Sequence, residues 1–152
     1  MTTPAPARDR ATRKVDTLSM LAQPSVDAWV ATASAMGEPH LVPLSLAWTA
    51  DRLVIAVERG SATARNIDAS GTARLAVGPT RDVVLIDATL ERSVGVDDDA
   101  AIGRAYAAQA DWDPRGLTAY VFLVLRPLRV QAWRESNELR GRVLMRDGDW
   151  LA

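Results

Sequence analysis

The sequence predicts a mainly β protein, a barrel or sandwich rather than a doubly wound sheet. Three observations carry this. Short runs rich in Val, Ile, Leu and Trp follow one another closely from Asp27 to Trp133. Turn chemistry separates them, as at Met36-Gly37-Glu38-Pro39 and Gly78-Pro79. Helical patterns are few and do not alternate regularly with the strand-like runs, so parallel crossovers are not indicated.

Met1 to Ala7 holds prolines and threonines and reads as a mobile tail. Arg8 to Ala22 reads as a helix with Val15, Leu18, Met20 and Leu21 as a partial apolar stripe, ended by Pro24. Residues 1–24 are therefore set apart from a body at 25–152. Strands are expected at Ala28–Ala33, Leu41–Trp48, Arg52–Val57, Ala73–Val77 and Asp82–Leu90. Pro43 lies inside the second, which implies an edge, a bulge or a backbone facing something other than a strand. Ala62 to Ala69 reads as a short helix and Asp97 to Gln109 as the clearest one, with an acidic start and an alanine-rich interior. Tyr120–Leu125 and Leu128–Trp133 are the last long strands, split at Arg126-Pro127. The count is about six or seven strands with two or three helices.

Composition narrows the chemistry. At 152 residues the chain suits one domain, which can bury roughly 70% of its unfolded surface without staples. There is no cysteine, which excludes disulfides and thiol chemistry, and His40 is the only histidine, which speaks against a histidine zinc site. With 18 basic and 19 acidic residues, a large nucleic-acid footprint is not expected. No apolar run is long enough to span a bilayer, and the N-terminus has no apolar signal core. The expectation is a cytoplasmic protein with no membrane or nucleic-acid partner.

Three segments could carry chemistry. In Glu58-Arg59-Gly60-Ser61-Ala62-Thr63-Ala64-Arg65-Asn66 a strand ends, glycine turns, and Ser61 stands at a helix N-cap. Ala64 at the N3 position closes no capping box, so first-turn N–H groups remain open to an anion. Ser61, Thr63 and Arg65 make this a phosphate cradle on one reading and an ordinary capped helix on the other; the residues alone favour the ordinary one. Around Pro43, the backbone of Val42 to Ser45 either addresses a ligand ring or is an edge strand protected against aggregation. His40 reads as a strand residue rather than a catalyst. Arg81 and Asp82 stand at a strand's start as a ligand rim or a surface ion pair. Asp97-Asp98-Asp99 is better explained by helix capping than by metal, and no metal is expected. The tail from Trp133 to Trp150 is unusual, because two tryptophans and several arginines give it flat, stackable, hydrogen-bonding surface.

In order, Gly37-x-Pro39, Val42-Pro43-Leu44, Gly60-Ser61-x-Thr63-x-Arg65-Asn66, Arg81-Asp82-Val83-Val84 and Trp133 to Trp150 resemble the split-barrel flavoproteins related to pyridoxamine 5'-phosphate oxidase. The resemblance covers Asp27 to Trp150. It implies a six-stranded split β-barrel with a few short helices, a homodimer, and FMN or the deazaflavin coenzyme F-420 between subunits. Ser61 and Thr63 match phosphate-contacting positions, with Arg65 and Asn66 beside them. Val42, Pro43, Leu44 and Ser45 match the strand flanking the ring. Asp82 falls where the oxidases have a glutamine, and Trp133 and Arg142 match tail residues that border the ring across the dimer.

The departures matter as much. The oxidases have Arg then Lys where this chain has Ala62 and Thr63, so two cationic contacts are missing. They hold substrate with an arginine and a histidine where this chain has Glu138 and Arg140, with one residue fewer between Trp133 and Asn137. A carboxylate repels a substrate phosphate, so a small-molecule substrate other than pyridoxamine 5'-phosphate is expected, with Glu138 and Arg140 its candidate contacts. No catalytic side chain is assigned, because the cofactor would carry the redox chemistry. The readings are an FMN-dependent oxidoreductase first, then a deazaflavin-dependent reductase, a non-catalytic flavin carrier or sensor, and haem binding, for which one histidine is a poor basis.

Overall fold

The computed structural model describes residues 2–152; Met1, part of the expected mobile tail, lies outside the described residues. Nine strands join in one antiparallel sheet, in the order β2-β1-β5-β6-β7-β4-β3, with β8 paired to β7 and β9 to β8. The strands are β1 (Asp27–Ala33), β2 (Pro39–Ser45), β3 (Ala47–Thr49), β4 (Arg52–Glu58), β5 (Thr72–Val77), β6 (Val83–Gly95), β7 (Tyr120–Trp133), β8 (Val143–Arg146) and β9 (Asp149–Trp150). Three α-helices are interspersed: α1 (Arg10–Leu21), α2 (Ala62–Ser70) and α3 (Ala100–Ala110).

The two ends of the sheet order, β2 and β3, are neighbours in sequence and are joined by the single residue Leu46. A flat sheet cannot place its opposite edges one residue apart. The sheet therefore curls until its edges approach, but β2 and β3 form no ladder with each other. The result is an open, incompletely closed barrel. Leu46 is fully buried at the join, with its N–H held by the carbonyl of Val26 at 3.0 Å.

Burial follows the curl. β1 and β5 alternate, with Ala28, Val30, Leu75 and Val77 turned inward. Their inner side chains join Ile55, Ile86, Leu123 and Leu125 in the barrel core. β4 is buried on both faces because α3 packs Ile102, Tyr106 and Ala110 against Val54, Ala56, Phe122 and Val124 from outside.

The structure corrects several expectations. Leu41–Trp48 is two strands rather than one, since the chain changes partners from β1 to β4 at Leu46. Arg126-Pro127 does not split β7. Pro127 sits opposite Ala88 where the register between β6 and β7 shifts, and such a bulge tolerates a residue without an N–H. The tail contributes β8 and β9 to the sheet, so the strand count exceeds the expected one. Pro43 does stand on an edge strand.

The helices begin where local rules place them. Asp9 caps α1 by accepting from the Thr12 N–H at 2.7 Å, and Asp99 caps α3 by accepting from Ile102. Asp97 lies outside α3 and accepts from the N–H of Gly116. Gly71 closes α2 in the left-handed conformation, at φ 72°. The inward face of α1 matches the expected apolar stripe only in part, since Leu21 is buried and Met20 packs against the core. Val15 is exposed, and Arg13, Thr17 and Leu21 are the buried residues.

The hydroxyl of Thr17 is buried without a hydrogen-bond partner, a cost that a methyl group in its place would remove. Thr17→Val is expected to raise stability by up to about 1 kcal/mol. The check is a higher urea midpoint with an unchanged slope.

Candidate ligand-binding cleft

β4 runs out at Glu58, the chain turns at Gly60, and Ser61 starts α2. The Ser61 hydroxyl accepts from the Ala64 N–H at 3.2 Å, as an N-cap should. No acid stands in the first turn, so the positive end of the helix meets no charge of its own. Opposite this turn runs β2, whose only ladder partner among the described residues is β1. Between them lies a cleft of about 530 Å³. His40, Val42, Pro43 and Leu44 form one wall, Ala56 to Glu58 the floor, and Ser61, Ala62 and Thr63 the polar end. Trp112 and Tyr120 complete it.

That aromatic side is held by its own contacts. Trp112 meets Tyr120 edge-on at 5.6 Å between ring centroids and donates its indole N–H to the Tyr106 hydroxyl at 3.1 Å. Burial pushes the Tyr106 phenol up to about 12, so it stays protonated and donates to the Ser45 carbonyl at 3.4 Å. This bond ties the end of β2 to α3. The cleft thus offers an apolar slot with a hydroxyl-and-N–H end. Its lining includes Glu58 but no lysine or arginine.

Five of the residues singled out by sequence line this cleft: Val42, Pro43, Leu44, Ser61 and Thr63. Ser45, the next residue of β2, does not line it; its carbonyl accepts from Tyr106. Arg65 folds its guanidinium back onto the Gly60 carbonyl, and Asn66 donates to the Thr32 hydroxyl at 3.1 Å. Neither lines the cleft.

The remaining candidates gather elsewhere, where β6 begins and β7 ends. Trp133 pairs with Val83 across the ladder. The Arg142 guanidinium stands 6.0 Å from the Trp133 ring centroid and bonds Gln131 and the Leu139 carbonyl. Asp82 lies 3.2 Å from Arg134 and 3.7 Å from Arg8. Arg140 has an exposed side chain, and its carbonyl accepts from Arg13. Glu138 is only 2% exposed. Its carboxylate accepts from the Arg8 backbone N–H, the Arg8 guanidinium and the Arg134 N–H, at 2.8 to 3.1 Å. Every one of those bonds is internal, so the expected substrate contact is occupied by the chain's own N-terminal segment. Residues 5–8 lie against this tail, and the Ala5 carbonyl also accepts from Asn137 at 2.9 Å.

Sequence reasoning missed Arg8, Arg13, Trp112, Tyr106 and Tyr120. The last three had an available signal, since bulky aromatics bracket the α3–β7 loop. The first two had none, because their partners lie far along the chain.

A family model described as pyridoxamine 5'-phosphate oxidase matches residues 19–134. The chain belongs to the pyridoxamine 5'-phosphate oxidase-like split-barrel family. No curated protein sequence matches it. Among solved structures, an F420 reductase is similar at 20% identity and TM-score 0.62, covering 74% of this chain and 93% of its own. A conserved hypothetical protein of Mycobacterium tuberculosis has TM-score 0.68 at 12% identity, covering 90% and 92%. A heme binding protein of Mycobacterium smegmatis has TM-score 0.61 at 17% identity, covering 94% of this chain and 58% of that one. These likenesses concern the fold.

The Arg8 hydrogen bonds hold the Glu138 carboxyl down to about 2 against the opposing effect of burial. A lowered folded value means stability that is complete above the ordinary value of 4.5 and lost as pH falls toward about 2. Arg8, Arg134, Asp82 and Asp16 are the other charged groups gathered in this network. Glu138→Gln is expected to lower stability at neutral pH and to flatten its fall across that window. Urea midpoints measured from pH 7 downward check this.

Proposed function

We propose that the cleft holds a flavin-type cofactor, FMN in the first reading, and that the protein is an oxidoreductase using it on a small molecule in the cytoplasm. The observation that supports this most is the pairing of a free β2 edge with the capped, acid-free start of α2. The ring would lie along Val42 to Leu44. Its phosphate would meet the first-turn N–H groups of Ala62 and Thr63 and the hydroxyls of Ser61 and Thr63. The residues fit such a group, with helix N–H groups in place of cationic side chains. A bound flavin or deazaflavin supplies hydride transfer. The protein's part is to orient the ring, exclude water with Trp112 and Tyr120, and leave a face for substrate.

A second copy of the chain would complete the site. The outer sheet face carries an apolar row, in which Trp29 stands opposite Pro43 and Ala76, and Ala76 stands opposite Leu85. Trp29 is 52% exposed and nearby Leu41 is 59% exposed, more apolar surface than water favours. A homodimer burying this face would bring Trp133 and Arg142 of one copy to the cleft of the other.

The deazaflavin coenzyme F420 is the second reading. Missing cations at Ala62 and Thr63 weaken the FMN assignment, and the likeness to an F420 reductase favours this alternative. Titration of the purified protein with FMN, F420 and haemin, followed by absorbance and fluorescence, separates these possibilities. Binding of haemin alone would replace both readings.

Ala62→Arg is expected to tighten FMN binding by about tenfold, because it restores a charge-assisted contact at the phosphate end. An unchanged dissociation constant would overturn the placement of the phosphate at α2. Pyridoxamine 5'-phosphate is not expected to turn over, since the position where the oxidases place a cation is matched here by Glu138, which is buried against Arg8 and offers the substrate phosphate no positive charge. Formation of pyridoxal phosphate at an oxidase-like rate by the FMN-loaded protein would show otherwise.

A further inference from the structure

Two arginines of the N-terminal segment hold the loop that runs from Trp133 to Arg142. The neck of this loop is closed by the Ala132 N–H donating to the Arg142 carbonyl at 2.9 Å. Inside it, one short turn (Ser136–Glu138) supplies the few backbone bonds of its own. Other carbonyls turn inward, and Arg13 collects them. Its Nη1 donates to the carbonyls of Ala132 at 3.2 Å and Glu138 at 2.8 Å, and its Nη2 to that of Arg140 at 3.3 Å. Its Nε donates to the Arg8 carbonyl at 3.0 Å. Arg13 is 4% exposed, so these carbonyls replace its water. Arg8 grips the same loop through the Glu138 carboxylate.

The arrangement needs a guanidinium. A planar fork with five N–H donors can bridge separate points of one loop, whereas an ammonium offers three donors at a single point. Neither arginine lines the cleft or stacks on Trp133. Both fix the backbone on which Trp133 and Arg142 stand.

We infer that Arg13 and Arg8 are positioning residues for the cofactor site, acting through the loop that presents Trp133 and Arg142 to the cleft of the second copy. This rests on the reading in the preceding subsection. It makes α1 part of the site and assigns its buried arginine a role other than filling the core.

The test uses the full-length protein and the variants Arg13→Lys and Arg13→Met, with Arg13→Lys decisive if the methionine variant does not fold. Amide hydrogen exchange is measured across residues 133–142, with β4 and β7 as internal reference. Dissociation constants for FMN and F420 are measured in parallel, alone and combined with Trp133→Ala. In Arg13→Lys, loop exchange should quicken while the reference strands stay protected, and affinity should fall by about tenfold or more. Adding Trp133→Ala should then cost little beyond the larger single loss, because both changes remove one contact.

Unchanged loop exchange in Arg13→Lys overturns the latch itself, whatever the protein binds. A loosened loop with unchanged affinity, or fully additive losses, overturns the positioning role. Failure of the unaltered protein to bind either cofactor overturns the functional reading and this inference with it, while the exchange result still reports on the latch.

Discussion

The join at Leu46 constrains everything else in this molecule. One buried residue connects the two ends of the sheet order, so the sheet has to curl. Because β2 and β3 do not pair, the curl stops short of closure and β2 keeps one unpaired edge. A closed barrel would have used that edge in a ladder. Here it faces α2 across a gap, and the gap is the cleft. Pro43 is compatible with this position because an unpaired edge asks for no ladder N–H at that residue.

The site therefore grows out of incomplete closure rather than out of a loop added to a finished scaffold. Its regular or cross-braced parts are the capped α2, the floor of β4 and the aromatic corner at Trp112. In the proposed dimer its second half would come from the far end of β7, on a loop with little regular structure. Such loops are mobile unless other groups hold them. In this chain the holding groups are Arg13 of α1 and Arg8 just before it. Arg13 is buried on α1 for that reason: it faces carbonyls, and an apolar side chain there would leave them unpaired.

Some features were legible because their causes are local. Ser61 caps α2, and Asp99 caps α3, since an N-cap needs only an acceptor three residues before the N–H it serves. Pro43 marked an edge because a missing donor is a property of the residue itself. Other features were misread where a local rule met a distant partner. Pro127 looked like a strand break, yet the shift in register against β6 absorbs it. Arg13 carried no local signal of its role, since its acceptors lie at Ala132, Glu138 and Arg140. Glu138 looked available to a substrate, yet Arg8 takes its carboxylate.

By itself the sequence determined the fold class and the family, and it singled out five of the residues that line the cleft. Those follow from alternation, turn chemistry, caps and the order of short motifs, all of which act over a few residues. Tertiary structure alone decided how the candidates divide between two places, and which charges are internally paired. It also decided that α1 anchors the tail. These are matters of which groups meet across more than a hundred residues of chain, as Arg8 meets Glu138 at a separation of 130. A buried guanidinium or carboxylate takes its role from such partners, because in low dielectric an ion is stable only where they stand.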